Sequence, residues 1–278
     1  MLQLNNTIII EEECKMSPEI IAKQHQERLG KVLYNKFGSK MEIIEYNSSP
    51  NITVKFENGY ITHSSYRDFI RGGLTSPYDK TVCGHGYLGE GKYKASDENK
   101  KRTKQYMHWQ EMLRRCYDLR LHKRYPTYIG CTVCDEWLNF QVFGEWYDNN
   151  IYELKNVDKK ELNLDKDILI KHNKHYSPET CVFVPKSINT LFTKCNASRG
   201  LYPIGVCLDK RDGKFRSECN DGKGNDKKLG RFPTPELAFS VYKEYKEALI
   251  KKIANAYKLL IPDNLYLAMI NYKVEITD

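Results

Sequence analysis

Leu162–Leu191 reads LNLDKDILIKHNKHYSPETCVFVPKSINTL. Leu162, Leu164, Ile168 and Ile170 carry an apolar face past two carboxylates, Asp165 and Asp167. A polar turn follows over His172, Asn173, Lys174 and His175, and then Tyr176-Ser177-Pro178. Cys181–Val184 is a short β-prone run, and Pro185 suits the first turn of a helix that carries Asn189. The pattern predicts strand, turn, strand and helix within about thirty residues. A unit this small brings strand carboxylates and a helix amide close enough to share a divalent cation. Oxygen ligands of this kind suit Mg2+ or Mn2+, with phosphate oxygens completing the shell.

Further marks stand upstream of this stretch and within it: Trp109, Met112 and Arg115-Cys116; Val133-Cys134, Trp137, Phe140 and Phe143; then Leu164-Asp165 and Asp167; Tyr176, Pro178 and Cys181; and the helical Asn189. The linked series resembles the HNH (ββα-metal) nucleases of phage and mobile elements, over roughly residues 105–195. The resemblance implies a hydrolase that cuts DNA. It assigns the metal to Asp165 and Asn189, and it makes Asp167 a third oxygen ligand or a cap for the turn. It gives Asn173 the task of pinning the loop over the metal. The family's general-base histidine falls at Lys166. An ordinary lysine is protonated near pH 7 and cannot accept a proton from water. Two alternatives stay open. Either His175 or His172 activates the water, histidine having a suitable unperturbed pKa of about 6.5, or the fold binds without cutting and Lys166 contacts a phosphate.

Composition sets the outer bounds. The chain has 278 residues, 44 Lys plus Arg against 36 Asp plus Glu, and a net charge of +8, a moderate lean towards polyanions. No run of 18 uncharged apolar residues is present, so no transmembrane helix is expected. The opening MLQLNNTIIIEEE lacks the form of a secretory signal, so a cytoplasmic location is expected. Nine cysteines, an odd number without an export signal, are expected as reduced thiols. Cys131 and Cys134 have zinc-ligand spacing, but no second Cys-x2-Cys exists. Structural zinc is therefore not expected, and small buried thiols are.

In chain order, residues 1–36 read as an exposed start and a helix opened by Ser17-Pro18, with Ile20, Ile21, Leu29, Val32 and Leu33 on one stripe. Residues 37–80 read as a small β-rich module: MEIIEY and NITVKF alternate, and Glu57-Asn58-Gly59-Tyr60 supplies a hairpin turn. Its pattern resembles an accessory module of phage-encoded endonuclease-like proteins. Residues 81–104, with Gly84, Gly86, Gly89 and Gly91 among six Lys and Arg, read as a flexible basic linker. Residues 105–118 and 136–147 are predicted helices, joined by a basic loop over 119–128.

Residues 198–260 carry the clearest binding signal. Strands are predicted at Ile204-Gly205-Val206, Lys214–Cys219 and Lys227–Phe232. Pro235 then opens a helix with Ala238, Phe239, Tyr242 and Ala248 on its apolar side. This resembles the AP2 DNA-binding domain, a three-stranded sheet on one helix. The resemblance implies double-stranded DNA as partner, met by Arg199, Lys210, Arg211, Lys214, Arg216, Lys228 and Arg231. Arginine reads guanine with two hydrogen bonds, and lysine mostly positions the protein on phosphate.

The expected fold class is therefore α+β and multidomain. Its parts are an N-terminal helical segment (1–36), a β module (37–80), a linker (81–104), an HNH-like domain (105–197), an AP2-like domain (198–260) and a C-terminal extension (261–278). The expected function is that of a phage homing-type HNH endonuclease. The alternative is a catalytically degenerate DNA-binding protein acting as a regulator or anti-defence factor.

Overall fold

Alternating apolar residues organise the first part of the computed structural model, which describes residues 18–154, 161–192, 201–222, 224–276 and 278. The chain divides into two compact units, Met1–Thr81 and Val82–Asp278, and both mix helices with strands.

In the first unit, helix α1 (Pro18–Arg28) leads into β1 (Val32–Tyr34), β2 (Lys40–Ser48), β3 (Asn51–Phe56), β4 (Ile61–Ser64) and the short α2 (Tyr66–Ile70). The four strands form one antiparallel sheet in sequence order. Met41, Ile43, Tyr46, Ile52, Val54 and Phe56 turn one face inward onto Phe69 of α2. Ser65 caps α2 by accepting from the Asp68 amide. The expected helical stripe does not run on to Val32 and Leu33. Gly30 takes φ +73°, and its amide donates to the Ile43 carbonyl at 2.8 Å, which turns the chain onto the sheet. The expected boundary at 36/37 therefore falls inside a β-hairpin. Ser17, the expected cap of α1, lies outside the described residues.

In the second unit, residues 82–103 are docked rather than strung out as a linker. Gly86 lies so close to Trp109 and Leu113 that a Cβ there would meet Leu113 at 2.3 Å. Tyr87 exchanges backbone hydrogen bonds with Leu138 and Phe140, and the Gln141 side chain donates to the Leu88 and Tyr93 carbonyls. The lysines of this stretch, with Arg102 and the acids Glu90, Asp97 and Glu98, stay on the surface.

Helix α3 (Lys104–Tyr117), capped by Thr103, buries Trp109, Met112, Leu113 and Cys116. The segment expected as a loop contains α4 (Leu119–Arg124) and a 3₁₀ turn over Pro126–Tyr128. Then come β5 (Thr132–Val133) and the expected second helix, which is broken: a 3₁₀ turn over Asp135–Leu138 precedes α5 (Phe140–Asn150). The break is at Asn139, whose side chain accepts from the Gln141 amide and restarts the helix.

The central hairpin pairs β6 (Leu162–Asp165) antiparallel with β8 (Val182–Pro185), while β7 (His175–Tyr176) pairs parallel with β5. All four β8 residues are buried because two cores meet there. Phe183 and Leu164 face Trp109, Trp137, Phe140 and Phe143. Val182 and Val184 face Ile188 of α6 (Lys186–Phe192).

Three antiparallel strands follow, β9 (Val206–Asp209), β10 (Lys214–Asn220) and β11 (Asp226–Phe232), with β10 in the centre. The 23-residue α7 (Pro235–Tyr257), capped by Thr234, serves two cores. Its first half packs Ala238, Phe239 and Tyr242 on the sheet. Its second half packs Ile250 and Ala254 against Ile168, Val182, Val184 and Ile188, together with Leu265 and Met269 of α8 (Asp263–Ile270). Ala248, expected on the apolar side, is exposed. The boundaries expected at 197/198 and 260/261 thus fall within one compact unit.

Candidate functional site

The first candidate site is the turn that closes β6. The strand was expected to continue to Ile170, but it stops at Asp165. That carboxylate's Oδ1 accepts from the backbone amides of Asp167 (2.9 Å) and Ile168 (2.8 Å), and so bends the chain. Burial and the neighbouring Asp167 charge push the Asp165 carboxyl up, to about 6. Asp167 is exposed, and its Oδ2 lies 3.2 Å from the Lys166 ammonium. Lys166 is itself buried, with Nζ 5.9 Å from the Tyr176 ring centre.

Asn173 ties this turn together. Its amide donates to the carbonyls of Lys166 (2.7 Å) and His175 (2.6 Å), and its oxygen accepts from the His175 amide (3.0 Å). His175 is exposed, and its Nδ1 is 2.8 Å from Thr132 Oγ1. His172 points elsewhere. Its Nε2 is 3.7 Å from Glu275 and 4.0 Å from Asp278. These three residues are the one His/Cys/Asp/Glu grouping close enough to share an ion among the described residues. The ammonium of Lys171 already sits in that grouping, 2.8 Å from Asp278 and 3.2 Å from Glu275, so the cluster is an ion-pair network that fastens Glu275 and Asp278.

Register places Asp165 opposite Val182 and the start of α6 beside Leu162, at the other end of the hairpin. Ile188 packs with Ile168 and Val182, so α6 lies back over the hairpin towards the turn, with Asn189 half-buried on it. As a donor set for a divalent cation, the turn offers carboxylate oxygen on Asp165 and Asp167, one of them drawn towards Lys166. A carboxyl kept partly protonated by burial and a like charge is the state from which a cation would displace the proton.

The cysteines around the turn are neutral thiols. Burial raises Cys116, Cys131, Cys134 and Cys181, with Cys134 pushed up to about 11. They fill the core beneath Trp109 and Tyr176.

The second candidate site is the face of β9–β11 turned away from α7. Along β10, Phe215, Ser217 and Cys219 face the helix, which leaves Lys214, Arg216 and Glu218 outward. Arg216 lies directly between Cys207 of β9 and Arg231 of β11. Acids that sequence reading passed over hold these cations in place. Asp209 takes a two-pronged grip from Arg211 (3.0 and 2.9 Å) and a contact from Arg231 at 3.0 Å. Arg231 also reaches Asp212 at 2.9 Å, and Arg216 stands 3.4 Å from Glu218. The Arg211 and Arg231 guanidiniums hold Asp209 well below the usual carboxylate range. Arg216 Nε is buried without a hydrogen-bond partner among the described residues. Lys210, Lys214 and Lys228 are exposed, and Arg199 lies outside the described residues. The two-residue spacing Arg216/Glu218 was the signal for one pair, because residues two apart in a strand share a face, while Asp209 meets Arg211 through the turn after β9, where the Arg211 amide also donates to Asp209.

Compared with family models, with curated proteins and with solved structures, the chain finds no match. No described helix is long and apolar enough to cross a membrane.

Proposed function

We propose that this chain is a site-directed DNA-binding protein, a homing-type endonuclease of the HNH class. It lays the outer face of β9–β11 on duplex DNA and hydrolyses phosphodiesters beside Asp165. The observation that carries this reading is Arg216 directly across from Arg231. Two guanidiniums side by side on the outer face offer adjacent forks to the bases and phosphates of a duplex. Asp209 and Asp212 hold Arg231 in one orientation, which favours reading over loose attraction.

At the acid turn, Asp165 and Asn189 would hold Mg2+ or Mn2+, which when bound supplies charge stabilisation at the leaving 3′ oxygen. Asn173 keeps the loop shut. His175 is the base this arrangement favours. Its Nδ1 is tied to Thr132 Oγ1 at 2.8 Å, and in the tautomer where Thr132 accepts from Nδ1–H the lone pair stands on Nε2 of an exposed ring. A second reading, DNA binding without cleavage, is favoured by the buried Lys166 ammonium beside Asp167, a fixed cation where the acid pair would otherwise attract one. Supercoiled plasmid and genomic DNA incubated with Mg2+ or Mn2+ separate the two. Nicking abolished by Asp165→Ala and His175→Ala, with binding retained, supports the enzyme. Salt-sensitive binding with no cut under either metal leaves the binding protein.

A further inference from the structure

We infer that α4 and the 3₁₀ turn after it form a second, sequence-independent contact with the phosphate backbone of duplex DNA, beside the acid turn. This rests on the DNA-binding reading above. Helix α4, LRLHKR, has no buried residue, so core packing does not explain it. It is built instead from polar ties. Asp118 Oδ1 accepts from the Arg120 and Leu121 amides, and the His122 ring donates from Nε2 to the Arg115 carbonyl at 2.8 Å.

Those ties lead to the acid turn at both of its ends. Arg115 donates from Nη1 to the carbonyl of Leu164, the residue before Asp165, at 3.2 Å. Lys174 donates to the Ile129 carbonyl at 2.7 Å. The helix is thus held beside the turn rather than waving in solvent.

Its charges have no carboxylate partner among the described residues, although the Arg124 guanidinium lies 5.3 Å from the centre of the Tyr125 ring. Arg120, Lys123 and Arg124 are exposed, and none of them forms an ion pair among the described residues. The nearest acid, Asp118, is engaged by the helix cap and by Arg114 at 3.5 Å. This contrasts with the sheet face, where Arg211, Arg216 and Arg231 each have a carboxylate partner. Oriented, acid-buttressed arginines suit bases, whereas free cations on a rigid ledge suit phosphates. Leu119, 74% exposed, and Tyr125 stand at the two ends of the ledge and add apolar surface that lies against sugars at no folding cost.

The test is a salt titration of the full chain on a random-sequence 30-base-pair duplex, comparing wild type, R120Q/K123Q/R124Q and R216Q/R231Q. Each lost phosphate contact reduces the slope of log affinity against log salt by about 0.9, so the α4 variant is expected to lose about 2–3 from its slope. An unchanged thermal midpoint shows that this variant folds. In the wild type, Lys123 acetylation is expected to be blocked by DNA. An α4 variant with the wild-type slope, or Lys123 equally reactive with and without DNA, overturns the inference and leaves the sheet reading intact. A wild type that binds no duplex even at low salt overturns both.

Discussion

Burial beside Asp167 sets a pH signature on Asp165. Its folded pKa is about 6, above the ordinary carboxylate value of 3.8, so the folded state holds its proton longer than the unfolded one. Well below pH 4 both states are protonated and the group costs nothing. Between pH 4 and 6 the unfolded state ionises first, and stability falls until the penalty is complete above pH 6. Asp165→Asn keeps an oxygen for the Asp167 and Ile168 amides but cannot ionise. It is expected to be about 1–3 kcal/mol more stable than wild type at pH 7 and nearly level with it at about pH 3, read from urea unfolding across that range. An Asn variant that is less stable at both pH values would mean that the carboxylate is held by a favourable partner instead.

At the scale of elements, what the sequence made legible was what apolar periodicity marks. The alternation of MEIIEY and NITVKF became β2 and β3, and Trp109, Met112, Leu113 and Cys116 became the buried side of α3. The features it hid depend on single polar side chains. Helix α4 has no apolar stripe and exists through Asp118. The second helix is cut at Asn139 by that residue's own cap, and β6 ends where Asp165 captures two amides. The candidate site was legible as a set of residues in one turn. The separation of His172 from His175 was not, because it depends on Glu275 and Asp278, more than a hundred residues away. Glycine also matters at the turn into β9. Gly205 takes φ +75°, and a Cβ there would lie 2.0 Å from the Tyr242 ring. Gly205→Ala is expected to cost about 2–5 kcal/mol, from the left-handed backbone and the overpacking together, and to lower the urea midpoint.

Over the whole second unit, β8 and α7 each belong to two of three adjoining cores. All three tryptophans, Trp109, Trp137 and Trp146, belong to the core above Phe183. Ile250 lies in the core on the other side of β8. Ile250→Ala is expected to destabilise by about 2–5 kcal/mol and to shift the tryptophan transition by the same amount as the far-ultraviolet one. A tryptophan curve that stays in place while helix is lost would show that the two cores unfold separately.

Helix α7 extends for about 35 Å. Tyr242 anchors it to the three-stranded sheet and Ile250 to the hairpin of the acid turn. A sheet held this way is not a portable cassette. A recombination event that imported a new sheet with its helix up to Tyr245 would leave the Ile250 and Ala254 sockets to be filled by a foreign sequence. One that imported all of α7 would carry the wrong knobs for the old hairpin. Retargeting of such a protein would then proceed by substitutions on the outer face, around Arg216 and Arg231, with the rod and both of its seats inherited together.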